Sequence, residues 1–262
     1  MNDAPSPQPQ GIPPEGEANT PPPRPAIRIE TPARDRRPWV TWVLLGFTVI
    51  VYLLQVLSDN LLGRDLPMLL GAKVNELIYS GQIWRLITPT FLHGSVLHIG
   101  FNMYALYIIG PGLELYYGRI RFLALYLLAG FTGNVLSFVL TPAASLGAST
   151  AIFGLIAAQG IFIFKNRFLF GKRSRALLVN VLVIVLFNLF LGLSPGIDNW
   201  GHLGGLVGGA LYAWFSGPVL SIQQEPLGFV VRDSRSTSSS WGILFAVAAL
   251  FAVIVLLKVA FF

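Results

Sequence analysis

The sequence has 262 residues, of which 54% are hydrophobic and only 11% are charged, and its formal net charge is +6. A soluble domain carries about 25% charged residues, so this composition excludes an ordinary soluble protein and indicates one that is embedded in a lipid bilayer. The absence of cysteine excludes disulfides, thiol nucleophiles and cysteine-ligated metal sites.

The N-terminal segment differs in composition from the rest of the chain. Residues 1–38 contain 11 of the 18 prolines and few side chains that could be buried. This composition is typical of a disordered tail. The segment also lacks the apolar core of a secretory signal peptide.

Seven apolar stretches follow, each close to the ~20 residues that cross a hydrocarbon core of about 30 Å. Lipid offers the backbone no hydrogen-bond partners, so each stretch is predicted to be a helix. The stretches are 39–57, 96–113, 120–140, 148–165, 177–193, 199–216 and 242–261. The predicted fold is therefore an all-α polytopic membrane protein, with a six-helix core over 39–216 and a seventh, C-terminal transmembrane helix within 242–262.

Two connections in this predicted fold differ in character. Residues 58–95 form a long and only partly polar loop, which predicts a structured segment on the membrane surface or dipping into it. Residues 217–241 are predicted to be a cytoplasmic linker.

The basic residues are distributed unevenly between the two sides of the predicted membrane. Fourteen of the 18 lie in the tail or after the second, fourth and sixth spans. The positive-inside rule predicts that these segments and the N-terminus are cytoplasmic. This asymmetry explains the net charge without a nucleic-acid partner. It favours a bacterial plasma membrane, and an organellar membrane stays open as an alternative.

Polar residues cluster at the outer starts of the even-numbered spans. His98 and Asn102 lie one helical turn apart at the start of span two, Ser149 starts span four and His202 starts span six. Strongly polar side chains inside membrane spans are costly and are candidates for function. Spans two, four and six all enter from the same side, so these residues share one depth.

Small residues predict that spans four and six pack closely. Glycine recurs at every fourth position from Gly201 to Gly209 in span six, and Gly154 contributes to a matching small surface on span four. Such patterns let helix backbones approach each other. This packing is expected to bring the hydroxyl of Ser149 to the imidazole of His202.

A hydroxyl beside an imidazole is a nucleophile activated by a general base. His98, Asn102 and the backbone N–H of Ser149 are candidate donors to the oxyanion that acyl transfer generates. The only carboxylate close to His202 in the sequence is Asp198, four residues earlier in a loop. The interpretation is therefore a dyad without a carboxylate.

Each of these residues also has a purely structural explanation. A serine in a span commonly packs or bonds to its own backbone, a glycine ladder commonly serves only helix packing, an interfacial histidine can be an anchor, and Asn102 can bond across helices. Their occurrence together at one depth favours a functional site.

The residues that form this pattern resemble those of the rhomboid intramembrane serine proteases. The resemblance covers about residues 40–215. Its motifs are Trp84-Arg85, His93, the pair His98 and Asn102, Gly110-x-x-x-Glu114, the stretch "GAST" at 147–150 and the stretch "GHLGG" at 201–205. Thr150 follows the serine where many members of the family have glycine.

The resemblance implies that Ser149 is the nucleophile, that His202 is the base and that His98 and Asn102 bind the oxyanion. For Phe153 it implies packing on the base. The alternative for this residue is ordinary packing at lipid depth. Structural roles are implied for His93, Gly147, Gly201, Gly205, Trp84, Arg85 and Glu114.

The activity implied by the resemblance is cleavage of other membrane proteins in or next to their transmembrane segments. The substrate would enter laterally between spans two and five, and the expected partners are transmembrane substrates and the lipid bilayer. No cofactor or metal is expected. The alternatives are a catalytically inactive relative that binds membrane clients and, from another class, a solute transporter or receptor, which would carry polar groups at the midplane.

Overall fold

The computed structural model describes residues 27–29, 37–225, 228–235 and 237–261, so most of the predicted tail lies outside the described residues. The described part contains ten α-helices and three short strands. The helices are α1 (Trp39–Leu62), α2 (Leu66–Gly71), α3 (Asn75–Tyr79), α4 (Val96–Tyr117), α5 (Arg119–Leu140), α6 (Ser149–Lys165), α7 (Arg167–Phe170), α8 (Ser174–Leu191), α9 (Asn199–Ser216) and α10 (Thr237–Phe261).

The helical, multi-pass fold predicted from the sequence is confirmed. Helices α1, α4, α5, α6, α8, α9 and α10 lie on the seven predicted stretches. In the described part of the chain, five helices are long and apolar enough to cross a membrane: Trp39–Leu62, Val96–Tyr117, Arg119–Leu140, Arg167–Leu191 and Ser238–Phe261. Helix α6 has only 17 residues, and α9 has 18, of which five are glycine.

The ends of the long helices follow from local sequence signals. Ser95 precedes α4, and its hydroxyl accepts a hydrogen bond from the backbone N–H of His98. Asp198 precedes α9, and its carboxylate accepts from the backbone N–H of Gly201. Both are N-caps, which satisfy backbone donors that a first helical turn leaves unpaired. Gly118, at a φ of 75°, ends α4 and allows α5 to start at once.

Helices α5, α6 and α9 form the centre of the bundle, and glycine lets them approach each other. A Cβ atom on Gly205 would lie 1.9 Å from the carbonyl oxygen of Thr150, and one on Gly209 would lie 2.4 Å from the Cα atom of Gly154. On the other side of α9, a Cβ on Gly204 would lie 2.6 Å from the backbone of α5. The small residues therefore set the distances between these three backbones, as the sequence predicted.

The loop between α1 and α4 is structured, and main-chain carbonyls anchor it. It contains α2, α3 and two 3₁₀ turns, Ile83–Leu86 and Thr88–Phe91. The guanidinium of Arg85 donates to the carbonyls of Leu69 and Ala72 at 2.7 Å each. The indole of Trp84 donates to the carbonyl of Leu70. These two side chains cap the C-terminal end of α2, where carbonyls lack helical partners and cations are favoured.

A buried carboxylate joins α4 to the start of α1. Glu114 accepts hydrogen bonds from the backbone N–H groups of Val40 and Thr41 and from the hydroxyl of Thr41, at 2.7 to 2.9 Å. The positive end of the α1 dipole stabilises this negative charge. Glu114 therefore fixes the N-terminus of α1 beside the far end of α4.

A small sheet covers the opposite end of the bundle from the candidate site. Its strands are β1 (Ile27–Ile29), β2 (Leu220–Glu225) and β3 (Gly228–Asp233), and β3 pairs with β1 in parallel and with β2 in antiparallel orientation. The guanidinium of Arg121 on α5 forms an ion pair with Asp233. The sequence predicted a linker, without strands, over the residues that form β2 and β3.

The packing of α9 on α6 generates a testable prediction. Gly205→Ala should lower the melting temperature of the purified protein in detergent, because the new methyl group would overlap the Thr150 carbonyl, and overpacking costs about 1–3 kcal/mol. Gly46→Ala in α1 is the matched control, since its Cβ would have no atom within 4 Å. Alanine is the better helix former, so this control should leave stability unchanged or raised. Equal melting temperatures for the two variants would contradict the proposed close packing.

Candidate active site

Ser149 is the first residue of α6 and follows the connection 141–148 from α5. Gly147 in this connection has a φ of +130°, a conformation that side chains with a Cβ rarely adopt. A Cβ at Gly147 would also lie 2.7 Å from Nε2 of His98. Only glycine fits here, so the main chain passes close to His98 immediately before the serine.

The structure brings Ser149 and His202 into direct contact. Oγ of Ser149 and Nε2 of His202 are 2.9 Å apart, although 53 residues separate them in the chain. His202 lies in the first turn of α9 and is buried, whereas Ser149 is only half-buried. With the ring proton on Nδ1, Nε2 is free to accept the hydroxyl proton, which is the arrangement of a base-activated nucleophile.

The other ring nitrogen of the imidazole makes no hydrogen bond to a carboxylate. Nδ1 of His202 has no hydrogen-bond partner among the described residues. The carboxylate of Asp198 instead accepts from the backbone N–H of Gly201 at 2.9 Å. The geometry at His202 is therefore that of a pair of side chains and not of a triad.

The ring of Phe153 packs against one face of the His202 imidazole. It lies four residues after Ser149 on α6, and its ring stacks on that of His202 with centroids 4.4 Å apart and planes 11° apart. The ring fixes the plane of the imidazole, and its negative face can stabilise a positive charge on it.

His98 and Asn102 lie beside the serine on α4. The imidazole of His98 is half-buried and adjoins Gly147, and the buried side chain of Asn102 donates to the His98 carbonyl at 3.0 Å. Since α6 starts at Ser149, the N–H groups of its first turn have no acceptor within the helix. His98 of α4 and the first N–H groups of α6 are thus candidate hydrogen-bond donors beside the serine.

His93 lies in the loop between α1 and α4, here called the first loop, and connects this loop to the site without touching Ser149. Its Nε2 accepts from the backbone N–H of Ala148 at 3.4 Å, and its own backbone N–H and carbonyl both bond to the buried amide of Gln55 in α1. Burial, together with the neighbouring charge of His98, lowers the pKa of His93 to about 3. His93 therefore stays neutral near pH 7 and keeps Nε2 available as an acceptor.

The predicted site residues divide into two groups by position. The residues that lie together are Ser149, His202, Phe153, His98, Asn102, Gly147, Gly201 and Gly205. His93 joins this group through its bond to Ala148. Trp84, Arg85 and Glu114 lie away from them and cap helix ends, as described above. Among the described residues, no three His, Cys, Asp or Glu side chains lie close enough to hold a metal ion.

Sequence reasoning missed two buried polar residues that support the site. Gln55 holds the backbone of His93, and Lys73 bonds to the connection before Ser149. Gln55 had a local signal, since it is a polar residue in an otherwise apolar predicted span. Lys73 had a weaker signal, because a loop lysine is ordinarily exposed.

Comparison with known proteins gives a consistent result. The rhomboid domain family model matches residues 80–219. Rhomboid protease GluP of Bacillus subtilis is 39% identical over 177 residues, which cover 67% of this chain and 34% of that protein. RHOMBOID-like protein 5 of Arabidopsis thaliana is 31% identical over 91% of this chain and 89% of its own length. Rhomboid-like protease 3 of Toxoplasma gondii is 33% identical over 68% of this chain and 69% of its own length. The chain thus spans about a third of the GluP protein and most of the Arabidopsis one.

The lowered pKa of His93 predicts how stability depends on pH. Between pH 6.5 and about 3 the unfolded chain binds a proton at this residue and the folded chain does not, so stability should fall as the pH falls through this window. His93→Gln keeps an acceptor but cannot titrate. Thermal unfolding from pH 7 to pH 4 should therefore lower the melting temperature more for the wild type than for this variant. An equal decrease in both proteins would contradict the prediction.

Proposed function

Because this chain belongs to the rhomboid family of multi-pass membrane proteins, we propose that it is an intramembrane serine endopeptidase. Its substrates would be other membrane proteins, cut in or next to their transmembrane segments. Ser149 would be the nucleophile and His202 the general base. The observation that carries the proposal is the distance of 2.9 Å between Oγ of Ser149 and Nε2 of His202.

In the first chemical step, Oγ of Ser149 attacks the carbonyl carbon of the scissile peptide bond. His202 takes the hydroxyl proton on Nε2 as the new C–O bond forms. The imidazole then carries a positive charge without a carboxylate at Nδ1. The face of the Phe153 ring, stacked at 4.4 Å, offsets part of this cost by a cation–π interaction.

The tetrahedral intermediate carries its negative charge on the former carbonyl oxygen. The candidate donors are the side chains of His98 and Asn102 and the backbone N–H of Ser149. The dipole of α6 acts in the same direction, since its positive end lies at Ser149. Such donors stabilise the transition state more than the ground state, because the charge develops only during the reaction.

Collapse of the intermediate breaks the C–N bond, and His202 returns its proton to the leaving amine. The acyl group remains on Oγ of Ser149 as an ester. Water then attacks this ester while His202 accepts a proton from it, which gives a second tetrahedral intermediate. Its collapse breaks the bond between the acyl carbon and Oγ, His202 returns the proton to Oγ, and the product leaves as a carboxylic acid. The half-buried position of Ser149 supports this second step, because water must reach the ester.

We place the substrate entrance between α4 and α8. In the described part of the chain, Val185 is the only buried residue of α8, and α8 packs mainly on α6. A helix held this loosely can move aside at low cost. A substrate segment entering there would pass along α4 and reach His98 and Ser149.

The orientation is also part of the proposal. One side of the protein carries the N-terminal tail and the basic connections after α4, α6 and α9. This side would face the cytoplasm, in accord with the positive-inside rule. Ser149 would then lie toward the opposite face. The bacterial plasma membrane expected from the sequence stays part of the proposal, since the similar proteins come from a bacterium, a plant and Toxoplasma gondii.

Cleavage in liposomes tests the proposed dyad. The wild type should cut a single-span substrate that carries small residues near its outer end. Ser149→Ala and His202→Ala should each reduce the rate by at least roughly 10³-fold, because the nucleophile and the base act as a unit. Ser80→Ala is a control, since this hydroxyl is exposed and bonds only within its own turn at the Leu77 carbonyl.

The same variants separate the proposal from the inactive alternative. A fluorophosphonate probe should label wild-type Ser149 and leave Ser149→Ala unlabelled. Labelling without cleavage would mean that the offered substrate was unsuitable. A folded wild-type protein that neither cuts nor labels would overturn the proposal and favour a client-binding relative.

The oxyanion donors give a second, graded prediction. Asn102→Ala should lower the cleavage rate by about 10²–10³-fold, as expected for the loss of one donor. Asn60→Ala is the matched control, because Asn60 makes the same bond to the carbonyl four residues earlier but lies exposed at the end of α1. Similar rates for the two variants would exclude Asn102 from oxyanion binding.

A further inference from the structure

Lys73 is a fully buried cation that the proposed mechanism does not use. It lies between α2 and α3 in the first loop, and its relative exposure is 0%. Its ammonium group donates to the carbonyls of Thr141 and Ala143, at 3.1 and 2.6 Å. Lysine is almost never fully buried without such partners, so this placement requires an explanation.

The partners of Lys73 belong to one segment, the connection 141–148 that leads to Ser149. The main chain of Lys73 holds the same segment, since it exchanges two hydrogen bonds with Ser145 at 3.0 and 3.1 Å. Asn75 adds bonds from its side-chain amide to the carbonyls of Phe138 and Thr141. The first loop therefore holds this connection through both backbone and side chains.

The chemistry of the contact favours a charged donor. Helix α5 ends at Leu140, and the last carbonyls of a helix lack partners and carry partial negative charge. An ammonium group satisfies two carbonyls at once, and its hydrogen bonds are stronger than those of a neutral amine. Burial nonetheless lowers the pKa of Lys73 to about 8, partly offset by attraction to Asp198 and to Glu76.

We propose that the ammonium group of Lys73 is a positioning device for the nucleophile: it fixes the connection 141–148 so that Oγ of Ser149 stays within bonding distance of His202. This inference rests on the proposed function of Ser149. Lys73 touches neither the substrate nor the reacting atoms. It acts through the backbone of Ser145 and Gly147. The backbone N–H of Gly147 also donates to the carbonyl of Pro89 at 2.8 Å.

Removing the charge should therefore slow the chemistry at Ser149. A displacement of about 1 Å at a reacting group can cost about 10²-fold in rate. Lys73→Met keeps most of the apolar stem but removes the donors, so it should reduce the rate of fluorophosphonate labelling of Ser149 by about 10- to 100-fold at pH 7. The exposed Lys172, at the other end of the bundle, supplies the control Lys172→Met, which should label like the wild type.

The dependence on pH distinguishes positioning from a general structural role. The ratio of the wild-type labelling rate to that of Lys73→Met removes every titration that both proteins share. This ratio should be large at pH 7 and should fall as the pH rises through about 8, where Lys73 loses its proton. Lys73→Arg should keep its charge to pH 10, so its rate relative to Lys73→Met should not fall in this window.

Thermal unfolding over the same range separates loss of fold from loss of position. The pKa of Lys73 is lower in the folded chain than the ordinary 10.5, so between about pH 8 and 10.5 the unfolded chain binds more protons. The contribution of Lys73 to stability should therefore rise with pH while the ratio of the labelling rates falls. A stability that declined together with this ratio would mean that deprotonation of Lys73 loosens the whole fold, and it would overturn positioning.

Three outcomes decide the question. A wild-type rate that exceeds that of Lys73→Met at pH 7 and converges with it above pH 8 supports the proposal. Equal rates, or a ratio that stays constant from pH 7 to 10, overturn it while leaving Ser149 as the nucleophile. A wild type that is folded but unlabelled at every pH overturns the proposed function, and this inference with it.

Discussion

The close approach of α5, α6 and α9 determines the central distance in the candidate site, between Ser149 and His202. Ser149 and His202 start two different helices, so their separation depends on how near the backbones of α6 and α9 can come. Gly205 and Gly209 allow that approach, because any Cβ at these positions would overlap the backbone of α6. The hydrogen bond of 2.9 Å is thus a consequence of helix packing, and the rest of the site is arranged around it.

A second constraint is the cost of leaving polar groups unpaired in an apolar environment. The protein meets it by placing charged side chains against the ends of helices. Glu114 accepts from the first N–H groups of α1, Arg85 donates to the last carbonyls of α2, and Lys73 donates to carbonyls just beyond α5. In each case the partial charge at the end of the helix is opposite to the charge of the side chain. Polar bonds, and not apolar burial alone, therefore fix the first loop and the connection before Ser149.

The sequence was sufficient for the helices and for much of the site. Long apolar runs must be helical in lipid, and the glycine ladder indicated which helices pack, so the encounter of Ser149 with His202 could be predicted. The three-stranded sheet could not, because β1 and β3 lie about 200 residues apart and each strand is short. The burial of Lys73 was equally inaccessible, since it depends on where a loop docks. Local propensity carries no information about such long-range pairing.

The lengths of the central helices have a consequence for the shape of the membrane around the site. At 1.5 Å per residue, the 17 residues of α6 span about 25 Å, while the 22 residues of α5 span about 33 Å. With their inner ends level, Ser149 would lie several ångströms below the rim formed by its longer neighbour. The bundle would then enclose a shallow hydrated well within the thickness of the bilayer. Under the proposed function, a peptide bond could enter this well only after its helix had unwound locally, so the ease of unwinding would select substrates before any side chain is recognised.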